Sequence, residues 1–79
     1  MDSALFLENI HEALNNQVDE LTLETAFQEL EKWDSLASVS TVAMIYAEYD
    51  VQVSGDELLS CKTLGELKNK IVQKQQMLS

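Results

Sequence analysis

The chain has 79 residues, 46% of them hydrophobic, and carries a formal net charge of −9. This length fits one folded domain spanning residues 1–79 with a thin core, which leaves little room for a deep, water-excluding active site. The acidity excludes nucleic acid as a partner, disfavours adsorption to anionic membranes, and favours a soluble protein that meets basic surfaces of other proteins. No apolar run approaches membrane-spanning length, so membrane insertion is not expected, and a monomer is expected.

The first predicted helix begins at Asp2 or Ser3, because either side chain can cap a helix N-terminus. Apolar side chains then follow at the i, i+3, i+7 spacing of an amphipathic helix, namely Leu7, Ile10 and Leu14. The helix is expected to end near Asn15-Asn16. His11 lies on it and is expected at the protein surface.

Residues 17–34 mix apolar and acidic side chains without a regular period. A connection this long inside a compact domain needs structure of its own. We expect its apolar side chains to pin it down, with a turn of helix around Glu24–Gln28 and with Trp33 closing the core under the loop. Residues 1–34 also hold nine acids and one lysine, so most of the negative charge lies in this half.

The second helix is predicted from Ser35 to about Tyr49, with Asp34 as its cap. It carries two apolar stripes on nearly opposite sides, one of Val42, Ile45 and Tyr49 and the other of Leu36, Val39, Ala43 and Ala47. Either the long loop covers both stripes, or one of them meets a partner. We assign the first stripe to the core and the Leu36, Val39 and Ala43 side chains to an outward, partner-binding patch.

Two capping boxes predict two further helices. The Ser54-Gly55-Asp56-Glu57 box starts a short helix through Leu58 and Leu59, and the Thr63-Leu64-Gly65-Glu66 box starts a last helix with Leu64, Leu67 and Ile71 as its apolar stripe. The predicted fold class is therefore all-α, a four-helix bundle with a long first loop and a short third helix. The lone cysteine, Cys61, is expected to be buried, and the lack of a disulfide and of a leader sequence indicates a cytoplasmic protein.

The Asp34-Ser35-Leu36 segment at the centre of this acidic helical chain resembles the attachment motif of acyl carrier proteins. Residues 23–30 are similar to the loop that leads to that motif, and Thr63-Leu64-Gly65-Glu66-Leu67 falls where the family has its fourth helix. The resemblance covers nearly the whole chain. It implies the acyl-carrier-like four-helix bundle that the residues predict on their own.

The resemblance also implies a cofactor and a set of partners. A phosphopantetheinyl transferase would attach 4′-phosphopantetheine covalently to Ser35, with Asp34 and Leu36 flanking it, and no metal or catalytic residue is implied. The thiol of that group would carry acyl intermediates between enzymes such as an acyl-activating ligase, a ketosynthase or an acyltransferase. The pathway would be fatty acid, polyketide or specialised lipid or metabolite synthesis.

Two features of the sequence bear on the type of carrier. The helix after Ser35 lacks the acids typical of fatty acid synthase carriers, and the Trp33-Asp34-Ser35-Leu36 segment looks like that of specialised stand-alone carriers.

Three functions other than a carrier are considered from the residues. The main alternative is an unmodified acidic helical module that binds partners without the prosthetic group. A calcium loop at residues 50–61 is rejected because its third, fifth and twelfth positions are Gln52, Ser54 and Cys61. An enzyme is also disfavoured, because one cysteine and one histidine offer little for a catalytic site.

Overall fold

The computed structural model describes residues 2–16, 18, 20–31 and 33–77. Four helices follow one another, and they are α1 (Ser3–Ala13), α2 (Ser35–Tyr49), α3 (Gly55–Leu59) and α4 (Leu64–Met77). No strand occurs in these ranges, so the all-α bundle with a long first loop and a short third helix is confirmed. Within the same ranges, no helix has the length and apolar character needed to cross a bilayer.

Each helix begins where a side chain satisfies backbone N–H groups that have no partner within the helix. The carboxylate of Asp2 accepts a hydrogen bond from the N–H of Ala4 at the start of α1. At α3 the side chains of Ser54 and Glu57 each bond to the other's backbone N–H, which completes the predicted capping box. The second predicted box, between Thr63 and Glu66, is likewise present at α4.

The core lies between α1, α2 and α4 and is closed by the first loop and by α3. The predicted stripe of α4 is buried, with Leu64, Leu67 and Ile71 all at most 1% exposed. After α2 the chain turns at Asp50, whose φ of 54° is left-handed and whose N–H bonds to the carbonyl of Tyr46. The extended link that follows buries its two valines and leads into α3.

The first loop is fastened to α3 and α4 by hydrogen bonds to backbone atoms. The carbonyl of Leu23 accepts from the N–H of Gly65 at 2.8 Å, and that of Thr25 accepts from the N–H of Leu64 at 3.1 Å. The amide of Gln28 donates to the carbonyl of Leu59 at 2.9 Å. The helical turn predicted around Glu24–Gln28 is a 3-10 turn that lies slightly later, at Phe27–Glu29, where it buries Phe27.

His11 lies only partly at the surface where the sequence predicted it. Its side chain is half-buried, and its Nε2 donates to the carbonyl of Val18 at 2.9 Å. Its Nδ1 is 2.7 Å from the side-chain oxygen of Asn16. The imidazole therefore ties the end of α1 to the start of the first loop, far from a catalytic arrangement.

The short helix α3 has only one inward-facing side. Leu58 is fully buried there, whereas Leu59 is 56% exposed. Cys61 directly after α3 is buried as predicted, and the loss of solvent around its thiol raises the pKa of Cys61. A salt bridge of 2.7 Å between Lys74 and Glu57 joins α4 to α3, and the hydrogen bond from Lys74 lowers the pKa of Glu57.

Candidate functional site

Ser35 is the first residue of α2, and its side chain is exposed. Asp34 precedes it as the helix cap, and its carboxylate accepts a hydrogen bond of 2.8 Å from the N–H of Ala37. The backbone carbonyl of Asp34 accepts the first intrahelical bond, from Ser38. The predicted start and cap of α2 are both confirmed, and the Ser35 hydroxyl lies at the positive end of the helix dipole.

The segment that leads into Ser35 is held against the core by an aromatic pair. The rings of Trp33 and Phe27 meet edge to face, with their centroids 5.0 Å apart and their planes inclined at 71°. The backbone N–H of Trp33 also donates to the carbonyl of Leu30. Trp33 is half-buried and closes the core under the loop as expected, so it fixes the position of the chain two residues before Ser35.

The inward face of α2 includes two residues, Ala37 and Thr41, that the sequence pattern did not single out. Ala37, Thr41 and Ile45 are the buried residues of the helix, each one turn after the last. Of the predicted inward stripe, Ile45 is fully buried, whereas Val42 and Tyr49 are half-buried at its edge. Small and polar side chains therefore mark most of the side of α2 that faces the protein.

The opposite face of α2 is apolar and faces solvent. Leu36 is 69% exposed and Val39 is 65% exposed, and Ala43 is exposed as well. Tyr46, which the sequence analysis left out, extends this row and is 61% exposed. Its spacing from Val39, seven residues, is the signal that could have found it. Together, the four residues Leu36, Val39, Ala43 and Tyr46 form the α2 patch.

The charge around Ser35 is uneven. No acidic residue occurs on α2 before Glu48, so the α2 patch is electrically neutral. On the other side of Ser35, Glu31 and Asp34 line a cleft of about 270 Å³ between the end of α1 and the start of α2. An exposed serine thus stands between a neutral apolar surface and an acidic polar one.

Comparison with known proteins identifies the family. Residues 4–71, most of the chain, match the protein family described as "Phosphopantetheine attachment site". The chain belongs to this family. A solution NMR structure of the holo acyl carrier protein from Geobacter metallireducens is similar in fold, with a TM-score of 0.75 at 21% identity over 94% of this chain and 86% of that chain. No curated protein gives a significant match to the sequence.

Membership of this family defines the general role. The chain is an acyl carrier that bears covalent 4′-phosphopantetheine, and separate enzymes perform the chemistry on the acyl groups it carries. The start of α2 fits such a group, because it combines an exposed hydroxyl with a helix N-terminus, where a phosphodiester is electrostatically favourable. The predicted carrier role and cofactor are therefore confirmed at the level of the family.

Proposed function

We propose that Ser35 carries the 4′-phosphopantetheine, and that Asp34 and Leu36 hold it in place for transfer. The observation that carries this proposal is the exposed hydroxyl of Ser35 at the first position of α2, within the Asp-Ser-Leu segment. In attachment, the hydroxyl oxygen of Ser35 forms a bond to the phosphorus of coenzyme A that bears the pantetheine. The bond from that phosphorus to the adenosine bisphosphate breaks, and the hydroxyl proton passes to a base of the transferase.

The attached group supplies a thiol at the end of a long arm, on which acyl intermediates are carried as thioesters. The contribution of the chain itself is to present this arm, because a tether raises the effective concentration of the cargo at each partner's active site. The partners that fit this role are a phosphopantetheinyl transferase, an acyl-activating ligase, and a ketosynthase or an acyltransferase. We place the chain in the cytoplasm, as a monomeric domain of residues 1–79 in a fatty acid, polyketide or specialised lipid or metabolite pathway.

The loading reaction tests the attachment directly. The apo-protein is incubated with coenzyme A and a phosphopantetheinyl transferase of broad specificity, and its intact mass is measured. Wild type and Ser38→Ala should gain the mass of one phosphopantetheine, and Ser35→Ala should gain none. No gain in wild type would instead favour the acidic interaction module without a prosthetic group, and a gain in Ser35→Ala would move the site elsewhere.

We further propose that partner enzymes dock on the α2 patch through Leu36, Val39 and Ala43. These side chains lie on the same helix as Ser35, with Leu36 directly next to it, and they are exposed. Burying an apolar side chain the size of valine or leucine against a partner contributes about 1–2 kcal/mol. Because the patch has no charged residue, docking should depend little on salt. Electrostatic attraction of a basic partner by the acidic half of the chain would instead weaken as salt is added.

The transferase itself serves as the test partner for this surface. Val39→Ser should lower kcat/KM for loading by about fivefold or more, because one buried apolar contact is lost. Glu48→Gln, at the far end of the same helix, is the matched control and should leave kcat/KM unchanged. Equal rates for Val39→Ser and wild type, or a rate that falls steeply with added salt, would contradict docking by apolar contact.

A further inference from the structure

The cleft beside Ser35 is polar and opens next to the attachment position. Asp34 and Leu36, the two sequence neighbours of Ser35, both line it. Three of the other residues that line it have polar side chains of different chemistry, an amide in Asn15, a hydroxyl in Ser40 and a carboxylate in Glu31. No basic side chain lines it in the part of the chain that the structure describes.

We propose that this cleft is the resting site of the pantetheine arm, an inference that rests on the proposed attachment at Ser35. Beyond its phosphate, the arm is uncharged and consists of a dimethyl group, a hydroxyl and two amides. The amide of Asn15 and the hydroxyl of Ser40 both donate and accept hydrogen bonds, and the carboxylate of Glu31 accepts them from amide N–H groups. Leu36 and Leu14, which also lines the cleft, offer apolar contact to the dimethyl group.

The chemistry of the cleft favours it over the other hollow along α2. That second hollow is lined by Val42, Ala43, Tyr46 and Gln52. It begins seven residues after Ser35, about 10 Å along a helix axis, so the arm can reach both hollows. Two of its four lining residues are purely aliphatic, whereas half of the residues that line the first cleft have an amide, hydroxyl or carboxylate side chain, which suits the amides and the hydroxyl of the arm. A tethered arm has a high effective concentration in a site within its reach, so a few weak contacts are enough to hold it.

Two substitutions remove polar groups of the cleft with little effect on the backbone. Asn15 has a φ of 60°, a left-handed conformation that glycine adopts without strain, so Asn15→Gly deletes the amide side chain cleanly. Ser40→Ala deletes the hydroxyl on α2 and suits a helix. Ser38→Ala is its matched control, because Ser38 is a half-buried serine on the same helix and does not line the cleft.

Amide chemical shifts of the apo- and holo-proteins test the inference. Loading should shift the amides of Ala13, Leu14 and Asn15, which are remote from Ser35 in sequence but line the cleft. These shifts should shrink at least threefold in the Asn15→Gly/Ser40→Ala variant and stay unchanged in Ser38→Ala. The arm thiol of the double variant should also react about fivefold faster with iodoacetamide, since the docked fraction falls when a hydrogen bond is lost.

The outcomes separate this inference from the proposed function. If wild type gains no mass, the attachment at Ser35 and the resting site are both refuted. If the mass is gained but the shifts stop at residues 34–37, or occur instead at Ala43 and Gln52, the resting site alone is overturned. Equal thiol reactivity in wild type and the double variant would overturn it as well.

Discussion

Thr41 offers a sharp test of the packing of α2. Its side chain is fully buried, and its hydroxyl oxygen has no hydrogen-bond partner among the residues that the structure describes. Burying a hydroxyl without a partner costs about 1–3 kcal/mol. Thr41→Val replaces that hydroxyl with a methyl group of similar shape and keeps the β-branched side chain. We therefore expect this variant to raise the free energy of unfolding by about 1–2 kcal/mol.

Urea unfolding followed by the fluorescence of Trp33 measures this change, because Trp33 is half-buried against Phe27 and is the only tryptophan. A gain of 1 kcal/mol should raise Tm by about 4–8 °C in a domain of this size. Thr41→Ser is the matched control: it keeps the hydroxyl, loses a buried methyl group, and should be less stable than wild type by about 1 kcal/mol.

An unchanged or lower stability of Thr41→Val would refute this reasoning. It would mean that the hydroxyl is paired in solution, for example with a backbone carbonyl one turn earlier on the helix. The lower free energy of unfolding of Thr41→Ser would then reflect only the loss of its buried methyl group.

Three further predictions concern other parts of the bundle. Gly65→Ala should lower the free energy of unfolding by about 1–2 kcal/mol in the same urea titration, because the added Cβ would lie 3.0 Å from the carbonyl oxygen of Leu23 in the first loop. Gly55→Ala is its control and should be neutral or stabilising, because no atom lies within 4 Å of the Cβ it would add. Cys61, buried and with a raised pKa, should resist iodoacetamide at pH 8 in the native protein and react after unfolding, so native labelling by mass would contradict its burial. The lowered pKa of Glu57 means that its bridge to Lys74 stabilises the fold above the ordinary pKa and is lost as pH falls through the folded-state pKa. The free energy of unfolding of wild type should therefore exceed that of Lys74→Met by at most about 0.5 kcal/mol at pH 7. If the same difference in free energy persists at pH 3, the ion pair is excluded as its cause.

The helix starts could be predicted because their signals are local, whereas α1 ends at Ala13, earlier than the predicted end near Asn15-Asn16. A cap such as Asp34 or Ser54 acts on N–H groups two or three residues away, so a short stretch of sequence contains the whole interaction. The placement of Ser35 at the start of α2 could be predicted in the same way, since this residue follows its cap directly. These features do not depend on how the helices pack against one another.

Features that depend on packing were harder to predict. The inward face of α2 carries Ala37 and Thr41, whose weak or polar hydropathy gives no apolar stripe to read. The loop is fastened through backbone atoms such as the carbonyl of Leu23, which every residue possesses, so no side-chain pattern reveals the contact. Leu59 points outward because a helix of five residues has a single inward side, already occupied by Leu58.

The most direct test of the central claim is to locate the prosthetic group on the chain. The loaded protein is digested, and the peptide that contains Trp33 to Tyr49 is fragmented in a mass spectrometer. The proposal predicts that the phosphopantetheine mass lies on Ser35 alone, with Ser38 and Ser40 of the same peptide unmodified. A phosphopantetheine on either of those two serines, or on any other residue, would contradict the assignment of Ser35 as the carrier serine.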